Sequence, residues 1–276
     1  MVSFAGIHRD INFFLQKDFV YNGVEVDRSE WQGLRDDRPQ TKVVEVTDIS
    51  IDMSVPETMF EWQEFCQPNL PWAEDHFQER IGGEPLNPGE QYKNWPWYEQ
   101  GVEEHRMTGK FSHTYMERYW PKYAPLGPRN YRHGLEGEAK LGIRYDYGDL
   151  ATLIDLLQSR PMTRQAYLPI WFPEDLSAAM EPARVPCSLG YLFQWNEYDK
   201  ALDCYYYMRS CDFNRYLWDD LYLTGRLLQH VCDLAFGVGP GKLHAKIANL
   251  HIFSAEMEKL ASDYATQLNQ RMSDAF

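Results

Sequence analysis

The sequence predicts an α+β fold, on two observations. Short alternating or β-prone runs at 42–51, 189–195, 201–208 and 243–252 are set among segments whose apolar residues recur at helical spacing. The chain has 276 residues, 44% of them hydrophobic, which suffices for one large core, and no compositional break divides it. We read a single domain over residues 1–276.

Each element has its own warrant. Val43, Val44, Val46, Ile49 and Ile51 alternate with polar residues as in a half-buried strand, while the rest of residues 1–60 is mixed and places little chemistry. From Phe60 to Trp120, aromatic and acidic residues are interrupted by Gly82-Gly83 and Asn87-Pro88-Gly89, which predicts helices flanking a long loop. Leu150, Leu153, Ile154 and Leu157 recur at helical spacing behind Asp149, a residue suited to accept the first free N–H groups; a strand follows. The β-prone runs Leu189–Trp195 and Ala201–Met208 enclose the polar Asn196–Lys200, a hairpin or sheet connection. Leu217, Leu221, Leu228 and Val231 mark a buried helix that the glycines of 237–241 stop. A strand to Ile252 then leads into a C-terminal helix with Met257, Leu260, Ala261, Tyr264 and Leu268 on one face.

The net charge of −14 argues against a nucleic-acid partner, because duplex binders present a broad basic face. An anionic ligand must then be held by a local arginine cluster. The first residues lack the apolar core of a signal peptide, and no stretch is apolar enough to span a membrane, so the expected location is the cytoplasm, that of a host if the chain is phage-encoded. Five cysteines without Cys-x-x-Cys or His-x-Cys spacing argue against both a disulfide framework and a metal site.

One of the five, Cys187 in Arg184-Val185-Pro186-Cys187, has candidate chemistry. A thiol becomes a nucleophile as thiolate, which the nearby Arg184 favours; the same position at the start of a strand also suits an inert core cysteine. Arg209-Ser210, at the end of a predicted strand, offers a guanidinium fork and a hydroxyl for a phosphate, or a surface ion pair. Asp212 is either a solvated turn residue or a group facing a ligand beside that phosphate.

In order along the chain stand Pro161-Met162-Thr163-Arg164, Trp171, Pro186-Cys187, Arg209-Ser210-Cys211-Asp212 and Leu250-His251-Ile252-Phe253. Over roughly residues 126–260 this order resembles the thymidylate synthase family. The resemblance implies a thymidylate synthase-like fold with a large mixed β-sheet flanked by helices, and a homodimer packed through the back of that sheet. It also implies attack of Cys187 on C6 of a pyrimidine nucleoside monophosphate, with a one-carbon unit taken from 5,10-methylenetetrahydrofolate. By the same resemblance Arg209 and Ser210 hold the phosphate, and Arg164 reaches the partner's phosphate site. His251 meets the sugar hydroxyl, and Asp212, with Trp171, lies on the folate side.

The departures refine the expectation. Where the family carries an asparagine that reads uracil, this chain has Asp220, with Asp219 beside it should the register slip by one; both also suit a helix cap. A carboxylate accepts from the cytosine amino group and pairs with a protonated N3, but is repelled by a uracil carbonyl. The same difference marks the deoxycytidylate 5-hydroxymethylases of the family. Thymidylate synthases also fold a longer C-terminal tail over the folate; a chain ending at Phe276 is expected to admit water, unless the aromatic loop 92–119 serves as a lid. Hydroxymethylation of dCMP is therefore the leading expectation. The alternatives are dCMP methylation, CMP hydroxymethylation and a non-catalytic nucleotide-binding protein.

Gln165, Phe253 and Ser188 replace a second phosphate arginine, a sugar-side tyrosine and the histidine after the nucleophile. Arg129 or Arg132, behind Leu126-Gly127-Pro128, is placed to compensate for Gln165. The family's catalytic glutamate is expected at Glu79 or Glu74, with Glu79 preferred for its place near Gly82-Gly83; each also suits a solvated helix face. His113, Tyr115, Glu117 and Arg118 read as a charged helix face.

Overall fold

A computed structural model of the chain describes residues 4–28, 42–97, 111–124, 146–180 and 184–274. Leu126, Gly127, Pro128, Arg129, Arg132 and the middle of the 92–119 loop lie outside the described residues. Among those described, the strands are β1 Val24–Asp27, β2 Lys42–Ser54, β3 Ala166–Pro169, β4 Ser188–Asn196, β5 Ala201–Met208, β6 Cys211–Asp212 and β7 Pro240–Phe253. They form one mixed sheet in the order β1-β2-β7-β5-β4-β3, with β6 beside β7. β7 runs parallel to β5 and β6 and antiparallel to β2.

Around the sheet stand α1 Phe4–Asn22, α2 Met59–Cys66, α3 Trp72–Ile81, α4 Tyr115–Tyr119, α5 Leu150–Ser159, α6 Pro173–Ala179, α7 Leu217–Ala235 and α8 Met257–Asp274. A parallel pair needs a crossover connection, and α7 is the helix that carries the chain from the β5 side back to β7. It packs on both strands and receives α2, α3 and α5 on its other sides. Its predicted stripe is fully buried: Leu217, Leu221, Leu228 and Val231 have no exposed surface. Gly225 lets α2 close on α7, since a Cβ there would stand 2.2 Å from Nε1 of Trp62. That indole donates to the Tyr222 carbonyl at 2.9 Å.

Local signals act as expected. The Asp149 carboxylate accepts from Thr152 N at 2.8 Å and starts α5. Asn196 Oδ1 accepts from the N–H groups of Tyr198 and Asp199, both at 3.1 Å, and turns β4 into β5. The mixed reading of residues 1–60 missed α1, whose Leu15 and Phe19 reach the core although neighbouring charges and the Phe13-Phe14 pair blur their spacing.

On the face of the sheet away from α7, one row crosses five strands: Tyr167, Leu192, Tyr205, His244 and Asp52 are register partners in turn. Tyr205 stacks on His244 with ring centroids 4.5 Å apart.

Candidate active site

Cys187 precedes β4, and the end of β5 holds it in place. The backbone N–H of Arg209 donates to the Cys187 carbonyl at 2.9 Å. Its side chain donates from Nε to the Pro186 carbonyl at 2.9 Å and from Nη2 to the Val185 carbonyl at 3.1 Å, and Nη2 stands 4.0 Å from the Cys187 Sγ. Arg209 therefore builds the cysteine loop as well as presenting charge to the thiol. Burial pushes the thiol above its ordinary pKa; Arg209 pulls it down, Asp220 pushes it up and Arg184 pulls it down. The other four cysteines are buried, and all five are free thiols.

Ser188 is fully buried and joins two phenols. Its Oγ lies 2.5 Å from the Tyr206 hydroxyl and 2.8 Å from that of Tyr115. Tyr115 comes from α4, so the segment read as a charged helix face instead turns inward: Met116, Glu117, Arg118 and Tyr119 are buried, and Arg118 pairs with Asp175 at 2.8 Å. The sequence carried a signal for this in Thr114-x-x-Glu117, which forms a reciprocal capping box before an apolar residue.

The two acids at the start of α7 part company. Asp219 accepts from Asn69 N at 2.8 Å and Nδ2 at 2.7 Å, which ties it to the turn between α2 and α3. Asp220 lies near Cys211, whose Sγ is 4.0 Å from its Oδ2. Burial raises its pKa to about 7, against the pull of Arg80 and with a further push from Asp219.

β6 and β7 supply the next groups. Ser210 Oγ meets His251 Nδ1 at 3.2 Å, and Asp212 is the register partner of His251. Burial lowers the His251 pKa to about 4 although Glu45 opposes it, so the ring is neutral at pH 7. Asp212 Oδ2 pairs with Arg215 Nη1 at 2.9 Å, and its Oδ1 accepts from the backbone of Asn214 and Arg215. Burial still raises the Asp212 pKa to about 6. Arg215 lies between the Trp97 and Phe253 rings, at 5.3 and 4.3 Å. Trp171 stands 5.8 Å from the Arg209 guanidinium. Arg164 is exposed just before β3.

α3 bears both glutamates, and each has partners. Glu74 pairs with Arg226 at 3.1 Å and accepts from the Tyr222 hydroxyl at 2.6 Å. Glu79 Oε1 accepts from Glu90 N and Gln91 N at 2.7 and 3.0 Å, starting a 3-10 turn at Glu90–Asn94. Gly89, at φ +87, makes that contact possible, since a Cβ would lie 2.1 Å from Glu79 Oε2. The same helix brings two side chains that the sequence reading did not single out, His76 and Arg80, to the Tyr115 ring. Their spacing of one helical turn was the available signal.

Fold and site together define an α+β protein with a thiol, a guanidinium and a half-buried carboxyl group in one cluster. The sequence profile described as thymidylate synthase matches residues 89–274. The chain is 32% identical over 93 residues to the thymidylate synthase of Sphingopyxis alaskensis, covering 34% of this chain and 26% of that protein. It is 27% identical over 145 residues to the thymidylate synthase of Listeria monocytogenes serovar 1/2a, covering 52% of this chain and 43% of that protein. The chain belongs to the thymidylate synthase family. Its matched stretches span less than half the length of these relatives. Among the described residues no helix is long and apolar enough to cross a membrane, and no three His, Cys, Asp or Glu side chains group as metal ligands.

Proposed function

We propose that the protein transfers a one-carbon unit to C5 of a pyrimidine nucleotide, and that it is a deoxycytidylate 5-hydroxymethylase using 5,10-methylenetetrahydrofolate and water. One observation supports the choice of cytosine above others. Asp220 is half-buried near Cys211 with a pKa of about 7, while its neighbour Asp219 is buried and committed to Asn69. A carboxyl group poised near neutrality can give a proton to cytosine N3 and accept from the C4 amino group.

In this reading Cys187 adds as thiolate to C6. The S–C6 bond forms, the C5=C6 pair shifts toward C4, and the displaced C4=N3 pair takes a proton at N3 from Asp220. C5 is then a carbon nucleophile. Methylenetetrahydrofolate supplies the one-carbon unit at the formaldehyde level. C5 bonds to that carbon, and loss of the C5 proton expels tetrahydrofolate and leaves an exocyclic C5=CH2 group. Water adds to this carbon as the pair returns to C5=C6 and the C6–S bond breaks, yielding the hydroxymethyl nucleotide, tetrahydrofolate and the free thiol. Arg209 and Ser210 take the phosphate, and His251 takes the sugar hydroxyl. Asp212 and Arg215, walled by Trp97 and Phe253, fit the polar edge of a pterin, and Trp171 flanks the same side. Of the α3 carboxylates, Glu79 has the oxygen left without a partner, Oε2, and is the proposed proton relay; Glu74 is the second candidate. The tyrosine-lined row on the back of the sheet is the proposed homodimer face, through which Arg164 would serve the partner's phosphate.

The test is to incubate the protein with methylenetetrahydrofolate and dCMP, CMP or dUMP and weigh the nucleotides. A gain of CH2O on dCMP is expected. A CH2 gain would mean methylation, and reaction of dUMP alone would remove Asp220 from base reading. No product from any of the three would favour a binding protein of the same fold.

A further inference from the structure

Arg80 is a buried cation without a carboxylate of its own. It is 3% exposed, and among the described residues it makes no ion pair. Its Nε and Nη2 both donate to His76 Nε2, at 3.1 and 2.9 Å. An imidazole that accepts on Nε2 is neutral and carries its proton on Nδ1, so it orients the guanidinium without cancelling its charge. His76 is itself buried and stacked on Trp72 with centroids 5.3 Å apart, which fixes the ring. The guanidinium lies 4.0 Å from the centre of the Tyr115 ring, and the Tyr115 hydroxyl reaches Ser188, next to Cys187.

Holding a guanidinium out of water costs several kcal/mol unless negative charge compensates. The titratable groups around Arg80 are Tyr115 and Tyr119 from α4, Tyr191 from β4 and Asp220 from α7. Three are phenols, and Asp220 has a pKa of about 7, so it is not a full anion at neutral pH. The cluster thus carries a fixed positive charge that its own residues only partly neutralise. A reaction that drives electrons into the ring beside Cys187 would supply the missing negative charge.

We propose that Arg80 acts in the reaction through Asp220, its guanidinium stabilising the negative charge that addition of the Cys187 thiolate to C6 brings to the pyrimidine and that proton transfer to N3 leaves on Asp220, with His76 as its positioning residue. The proposal rests on the thiolate-addition reading above. It concerns the adduct alone and needs no folate. When the S–C6 bond forms, the C5=C6 pair moves into the ring; C5 takes a proton from solvent, releases its original hydrogen, and the pair returns as the S–C6 bond breaks. The net change is exchange of the C5 hydrogen with water.

That exchange is the test. The full chain is incubated with dCMP in D2O without folate, and loss of the C5 proton signal is followed by NMR at several dCMP concentrations. Arg80→Gln is expected to exchange about a hundredfold more slowly, with the half-saturating dCMP concentration changed by no more than about threefold. Arg80→Lys is expected to recover part of the rate, remaining about tenfold slow because lysine lacks the fork that His76 holds. Exchange by Arg80→Gln at the wild-type rate would overturn the proposal. If Arg80→Gln does not fold, Arg80→Lys decides, and a wild-type rate there overturns it equally. Failure of the wild-type protein to exchange dCMP, CMP or dUMP would overturn the thiolate-addition reading, and the role of Arg80 with it.

Discussion

Asp219 and Asp220 are adjacent in sequence yet have different partners: Asp219 takes both N–H donors of Asn69, and Asp220 lies near Cys211. Their substitutions should therefore separate cleanly. Asp220→Asn is expected to move the ratio of kcat/KM for dCMP over dUMP at least tenfold toward uracil, with stability retained. Asp219→Ala is expected to cost about 1–3 kcal/mol in urea unfolding, because it strands the Asn69 donors, and to leave base preference unchanged. An unaltered preference in Asp220→Asn would remove that residue from base reading.

Cys187→Ser should abolish product formation while dCMP binding, followed by calorimetry, stays within about threefold of wild type. The hydroxyl keeps the loop geometry, because Arg209 grips the carbonyls of residues 185–187 rather than the sulfur alone. Retained turnover would exclude thiolate addition.

The raised pKa of Asp220 has a signed effect on stability. The folded chain holds a proton there up to about pH 7, whereas the unfolded chain releases it near 3.8. Between those values the folded state binds more protons, so stability contributed by this group is full below pH 3.8, falls as pH rises and levels off above about pH 7. Urea unfolding across that range should show wild type losing stability relative to Asp220→Asn as pH rises, because the variant has no carboxyl group to ionise there. A difference independent of pH would mean the carboxyl group titrates normally.

Gly225→Ala should destabilise by about 1–3 kcal/mol, because its methyl would press into the Trp62 indole and push α2 from α7. Chemical denaturation measures the loss, and a neutral effect would show that the helices have room to separate.

Glu74→Gln should lower stability by about 1 kcal/mol through its bonds to Arg226 and Tyr222, with turnover nearly intact. Glu79→Gln should reduce turnover by more than tenfold at unchanged dCMP binding. The reverse pattern would exchange the two assignments.

Much of this architecture is legible in the sequence because it is local. The Asp149 cap, the Asn196 turn and the leucine stripe of α7 each follow from residues a few positions apart. The order of Cys187, Arg209, Asp212 and His251 was likewise readable as a family pattern. What escaped depends on partners distant in the chain. Whether Tyr115 points at solvent or at Ser188 is decided by a residue on β4, and whether Arg80 is a surface charge or a buried one depends on α4 and α7 closing over α3. Arg215 was missed for a simpler reason: in sequence Asp212 reads as either a solvated turn residue or a group facing a ligand, whereas its carboxylate is paired with the arginine three residues on.

β7 joins what the chain makes at separate times. It pairs with β2, β5 and β6, and the histidine near its end is the last of the clustered side chains in sequence. A nascent chain that has emerged as far as α7 already holds the thiol and its arginine, but not the strand that sets β5 and β6 in register. Because such non-local pairing comes late, the protein can complete this cluster only when synthesis has passed His251, so a ribosome-bound fragment that ends at α7 would hold Cys187, Arg209 and Asp220 in sequence but not the strand that fixes them relative to one another.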